Sequence, residues 1–142
     1  TSKSMILYGA YENYSHLMNA DKILIFESEK STCACDSYGY NNAVSIMGNA
    51  LSSEQAKILL SFNAKEYCFM LDEGLDLNVT LQNAKLLKSF AAMRECKITY
   101  FDWQNSLSVG PKESPTDCGK NIFEYIIQNE IENIEKITDD EI

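Results

Sequence analysis

The sequence predicts an α/β domain: a four-stranded, mainly parallel sheet flanked by helices in three layers. Two observations carry this. Four short, nearly continuous apolar runs stand out: KILIFE (22–27), AVSIM (43–47), EYCFMLD (66–72) and CKITYFD (96–102). Such runs are what strands buried on both faces of a parallel sheet look like. Segments with apolar residues at helical spacing lie between them, and that alternation implies right-handed crossovers. With 142 residues, about 45% of them hydrophobic, the chain is long enough for one domain with a real core.

The elements follow in order. Leu7, Tyr11, Tyr14 and Met18 predict a lead helix within residues 1–20, weakened by Gly9. Residues 28–38 form a short helix candidate stopped at Gly39. Ser52, with Gln55 three residues on, is a capping-box signature and opens a helix through Ala56, Leu59, Leu60 and Phe62. Leu77, Leu81, Ala84, Leu87 and Ala91 place one stripe on a helix over 77–93. Residues 103–119 read as a long loop rich in Gly, Pro and Ser. Phe123, Ile127, Ile131 and Ile134 predict a last helix over 120–134. The expected organisation is a lead helix (1–20), one domain (21–134) and an acidic tail or linker (135–142). The chain opens with Thr1 and reaches Met first at position 5, which reads as a piece excised from a longer chain.

Composition narrows the function. The net charge is −9, and the last 13 residues, EIENIEKITDDEI, hold six acids and one Lys. This is not the footprint of a stand-alone nucleic-acid binder, which needs a basic surface to release phosphate counterions. No run of 18 apolar residues and no signal peptide is present, so the expectation is a cytoplasmic protein without a membrane partner. The five cysteines (Cys33, Cys35, Cys68, Cys96, Cys118) are odd in number, which fits a reduced compartment. Cys33 and Cys35 form C-x-C, and His16 is the one histidine, so neither a zinc site nor thiol catalysis is favoured. His16 reads as a surface residue and Tyr8, Tyr11 and Tyr14 as a packing stripe. Trp103 can stack on a base, but more often such a residue covers the end of a core.

Open α/β sheets bind ligands at the carboxyl ends of their strands. Here those ends are acidic. The first strand runs into Glu27, then Glu29 and Lys30. The second ends near Gly48 and Asn49. The third ends in Asp72 and Glu73, then Gly74 and Asp76. The fourth ends in Asp102, and its loop carries Lys112, Glu113 and Asp117. Hard oxygen ligands without His or Cys select Mg²⁺, Mn²⁺ or Ca²⁺. The blander reading is that these acids are solvated residues that favour the helix starts behind them. Glu27 and Asp72, each directly at the end of a buried strand, argue against it together.

These motifs, in their order, resemble the topoisomerase–primase (Toprim) domain in the form found in bacterial- and phage-type DNA primases. That family has an apolar strand ending in Glu, often within EGEKS; here it is FESEKS. A Gly-Thr-Ala-Leu-Thr segment is matched by GNALSSEQAKIL, the Asp-x-Asp strand end by FMLDEGLD, and LYGLYEA by LYGAYEN. The late Lys-Asp-Pro-x-Asp segment is matched imperfectly by KESPTDCG. The resemblance spans roughly residues 6–127 and implies a three-layer, Rossmann-like domain.

By resemblance, Glu27 would serve in proton transfer or metal binding and Asp72 would hold Mg²⁺ (or Mn²⁺). Lys30 and Lys112 would contact phosphate or nucleotide, and Gly48 would let the chain turn beneath the site. The family pattern Asp-x-Asp-x-x-Gly is broken by Gly74 and Leu77, which leaves Asp76, or else Glu73, as the substitute ligand. The function implied is nucleotidyl transfer that makes RNA primers from nucleoside triphosphates on single-stranded DNA, with a helicase as a further partner. The alternatives are a degenerate Toprim-like interaction module without metal catalysis and a Toprim nuclease or topoisomerase-type domain. A signalling receiver is a further one, with Glu27, Asp72 and Lys112 in its acid and lysine positions.

Overall fold

The structure is a computed structural model and describes residues 7–48, 50–71, 77–91, 95–101, 115–117 and 119–133. In chain order its elements are α1 (Tyr14–Met18), β1 (Lys22–Phe26), α2 (Glu29–Ser37), β2 (Ala43–Ser45), α3 (Ser53–Ser61), β3 (Glu66–Phe69), α4 (Leu77–Ala91), β4 (Lys97–Phe101), α5 (Lys120–Asn129) and β5 (Ile131–Asn133). The sheet order is β2-β1-β3-β4-β5. Strands β2, β1, β3 and β4 are mutually parallel, and β5 runs antiparallel to β4.

Each central strand is buried on both sides, so its residues divide between two cores by simple alternation. Ile23 and Ile25 of β1 join Tyr67 and Phe69 of β3 and Ile98 and Tyr100 of β4 under α3 and α4. Leu24, Phe26, Cys68 and Phe101 face the other way, against Cys35 of α2 and Phe123 and Ile126 of α5. Phe123 is the hub of that side. Its ring lies 6.3 Å from Phe26, 5.9 Å from Tyr38 and 5.5 Å from Tyr40.

The helix ends follow their sequence signals. Ser52 and Gln55 form the capping box: the Gln55 amide donates to Ser52 Oγ at 3.1 Å and the Ser52 amide to Gln55 Oε1 at 3.0 Å. Gly39, at φ +92°, ends α2 in the left-handed conformation that glycine adopts without strain.

Several expectations need correction. The sheet has five strands rather than four, and the last helix stops at Asn129 instead of continuing to 134. The cause is the open edge of β4. Residues 131–133 turn back and pair with it (Thr99↔Asn133, Phe101↔Ile131), which satisfies backbone groups that an edge strand leaves unpaired. Ile131 still meets the core from the strand, so apolar spacing alone does not separate the two outcomes. The lead helix is also shorter than its apolar spacing predicts. Tyr8 forms an antiparallel bridge with Ser45, Gly9 turns at φ +88°, and only Tyr14–Met18 is helical. Leu7 and Leu17 enter the core; of the tyrosines, Tyr14 packs edge-on against Phe62 at 5.9 Å and Tyr8 is half-buried, whereas Tyr11 is 88% exposed and leaves the stripe.

Candidate functional site at the carboxyl rim

Glu27 follows directly on β1, whose last four residues are buried. Its backbone is pinned from the neighbouring strand. The Glu27 carbonyl accepts from Ser45 Oγ–H and from the Gly48 amide, both at 3.0 Å. The Met47 amide in turn donates to Ser45 Oγ at 3.0 Å, and the Ile46 amide to the Phe26 carbonyl at 3.0 Å. Ser45 is wholly buried. Its hydroxyl is therefore the knot that ties the turn after β2 to the end of β1. The knot is held from outside by Tyr8, which exchanges two backbone hydrogen bonds of 3.0 Å with Ser45.

Side chains then line the space that this backbone fixes. Glu27, Ser28, Glu29, Met47 and Gly48 surround an open cavity of about 270 Å³. Glu27 and Gly48, far apart in sequence, are brought together here. The left-handed turn falls at Met47 (φ +56°). Among the described residues nothing stands within 4 Å of a Cβ on Gly48; what residue 48 supplies to Glu27 is its amide.

Lys30 lies in the first turn of α2. Its ammonium sits 3.4 Å from the Asp117 carboxylate. Asp117 belongs to a turn, 115–117, that is clamped to α2. Tyr38 OH donates to the Thr116 carbonyl at 2.9 Å, and Thr116 Oγ1–H to Ser31 Oγ at 3.3 Å, with Ser31 and Thr116 both buried. The 115–117 turn is thus fixed to the helix that follows Glu27.

Asp72, Asp76 and Lys112 lie outside the described residues. Leu71, directly before Asp72, is buried, and the parallel register Ile25↔Phe69 sets the ends of β1 and β3 side by side. Among the described residues, no three His, Cys, Asp or Glu side chains stand close enough to enclose a metal ion.

The two buried thiols are inert. Burial raises the Cys68 thiol to about 11 and pushes Cys35 up as well, so both stay protonated and un-nucleophilic near neutral pH. Cys33 is exposed, 3.5 Å from Tyr8 OH. That hydrogen bond is the main reason the Tyr8 phenol is held above its usual range. His16 is exposed, as expected.

Sequence reasoning missed Ser45, Ser31 and Thr116 as positioning residues and Asp117 as the partner of Lys30. A Ser inside the apolar run AVSIM was the available signal for the first. Nothing local marks the contacts that span 85 residues.

No protein-family model matches the chain. It is 30% identical over 141 residues to the SPbeta prophage-derived uncharacterized protein YorJ of Bacillus subtilis (strain 168), covering 90% of this chain and 37% of that protein. Among solved structures it is similar to a DNA primase domain from Pseudomonas aeruginosa, at TM-score 0.77 and 19% identity over 96% of this chain and 41% of the other. It is also similar to a DnaG primase catalytic domain bound to single-stranded DNA (TM-score 0.74, 17% identity, 94% and 41%). The E. coli primase catalytic core is a third such structure (TM-score 0.72, 18% identity, 94% and 42%). The chain thus spans about two-fifths of the length of these proteins. No helix among the described residues is long and apolar enough to cross a membrane. The five-stranded, largely parallel sheet and its flanking helices are the Toprim fold as it occurs in DnaG-type primase catalytic cores.

Proposed function

We propose that this chain is the Toprim domain of a primase and contributes the carboxylate rim at which ribonucleotides are joined on a single-stranded DNA template. The observation that carries this reading is the pinned end of β1: Glu27 leaves a buried strand with its carbonyl held twice, in the fold that primase catalytic domains share. One of those primases is bound to single-stranded DNA, which makes a single-stranded template the partner to test. Nucleoside triphosphates, a helicase and a cytoplasmic location complete the proposal.

The donor set fits a hard cation. The rim cavity offers Glu27, Ser28 and Glu29 oxygens and no His or Cys, and Mg²⁺ is typically held by one or two carboxylates while it keeps waters. Glu27 would hold Mg²⁺ or Mn²⁺ together with Asp72 and Asp76. Such an ion, when bound, stabilises negative charge on the attacking and leaving oxygens of a displacement at phosphorus. Glu27 can also take the proton of an attacking hydroxyl, and Lys30 and Lys112 supply point charges for phosphate oxygens.

The pairing of Lys30 with Asp117 and the break of the Asp-x-Asp-x-x-Gly pattern at Gly74 and Leu77 favour a second reading, a Toprim-like interaction module without metal chemistry. Template-directed ribonucleotide incorporation by the natural protein separates the two. Mg²⁺-dependent synthesis that falls about 100-fold or more in Glu27→Gln supports the first reading. Synthesis unaffected by that change would overturn it, and no synthesis at all would leave the interaction module in the lead.

A further inference from the structure

The pole of the sheet opposite the rim carries a cleft that the primase reading does not use. It holds about 330 Å³ and lies on the α5 side. The upper half of this sheet face is apolar and roofed by Phe123 and Ile126. The lower half is polar: Lys22, Glu66 and Lys97 are cross-strand neighbours in one row, with Thr99 above Lys97. Ile127 and Ile131 form an apolar wall where α5 gives way to β5.

The row is not balanced in charge. Glu66 is already engaged. Its Oε2 takes the Lys22 ammonium at 3.3 Å and the Thr99 hydroxyl at 2.8 Å. Lys97 is exposed, and its ammonium has no ion pair among the described residues. Glu132, between Ile131 and Asn133 on β5, belongs to the opposite face by strand alternation. Among the described residues the cleft thus holds two ammoniums, Lys22 and Lys97, and one carboxylate, Glu66, which is bound to Lys22, on a chain whose net charge is −9. Enclosure concentrates the field of such a local excess.

We infer that this cleft binds a phosphate group, with the Lys97 ammonium and the remaining donors of Lys22 on the oxygens and the organic part of the ester against Ile127 and Ile131. Ammonium donors on a compact oxyanion are the simplest charge-assisted recognition of phosphate. The source is either a free phosphate monoester or the backbone of a single strand, and one experiment distinguishes them.

Phenyl phosphate and an oligothymidylate are titrated separately into the ¹⁵N-labelled chain at low salt, with Lys97→Gln and Lys65→Gln beside the parent. Lys65 is a fair control for net charge, because it lies outside the cleft and is exposed and paired with Asp21. The expected result is saturable shifts at the amides of Lys97 and Thr99. Affinity should weaken about tenfold in Lys97→Gln, the loss expected for a charge-assisted hydrogen bond, and hardly change in Lys65→Gln. Binding of phenyl phosphate alone assigns a free ester, and binding of the oligothymidylate assigns a strand backbone. The inference is overturned if neither probe shifts these amides, or if the two variants weaken binding equally.

Discussion

The two ends of the sheet solve the same problem in opposite ways. At the amino pole side chains bind one another: Lys22 pairs with Glu66, Thr99 completes the carboxylate, and Lys97 stands beside them as a second ammonium. At the carboxyl rim the backbone does the binding. Ser45, Met47 and Gly48 hold the Glu27 main chain, and the Glu27 side chain borders an open cavity. A pole held by side chains tolerates substitution better, since the partly buried Lys22–Glu66 pair keeps contact with water and ion pairs open to solvent contribute little. A rim held through one buried hydroxyl does not, because losing that hydroxyl leaves the partly buried Met47 amide without its acceptor and the Glu27 carbonyl short of a donor.

The sharpest way to test what the two ends share is to remove the core between them. Phe123→Ala deletes the ring that meets Phe26, Tyr38 and Tyr40. It should cost about 3–5 kcal/mol in denaturant unfolding, affecting both ends alike. Ser45→Ala comes next. It leaves the Met47 amide without its acceptor and removes one donor from the Glu27 carbonyl. The expected loss is about 1–3 kcal/mol, with faster amide exchange at Met47 and Gly48 and unchanged exchange at Lys97.

Lys22→Met, which breaks the pair with Glu66 at the other pole, should cost no more than about 1 kcal/mol. Exchange at Met47 should then stay as in the parent. A Lys22→Met loss exceeding that of Ser45→Ala would reverse the comparison. The smallest effect is expected for Lys30→Gln. Its side chain is 79% exposed, so melting should be unaltered while the Asp117 amide shifts.

Alkali probes the centre of the sheet. In the folded chain the Cys68 thiol loses its proton only at about 11, against an ordinary 9.0. Between those values the unfolded chain releases this proton while the folded chain retains it. Unfolding is thereby favoured, and stability falls as pH rises through that window. A Cys68→Ala variant should show a shallower alkaline decline. Thiol alkylation near neutral pH should mark Cys33, which is exposed, well before Cys35 or Cys68.

Much of the fold was legible because buried parallel strands have to be nearly continuous apolar runs, and all four expected strands form. The capping box at Ser52 and the stop at Gly39 were equally local. What the sequence hid was non-local. Strand β5 exists because β4 has an open edge, a fact of topology that helical spacing at Phe123, Ile127 and Ile131 cannot report. The site divides the same way. Glu27 could be read from its place at a strand end, and Gly48 from its segment. The Thr116–Ser31 and Lys30–Asp117 contacts needed the chain folded, since each joins segments more than 80 residues apart.

The measurement that tests the central claim most directly is a Mg²⁺ and Mn²⁺ titration of the chain followed by backbone amide shifts, with Glu27→Gln and Asp72→Asn beside the parent. The account predicts weak, saturable binding centred on residues 27–30 and 72–76 and lost in both variants. No localised binding up to about 10 mM, a level that fills weak divalent-cation sites, or binding that survives Glu27→Gln, would contradict it.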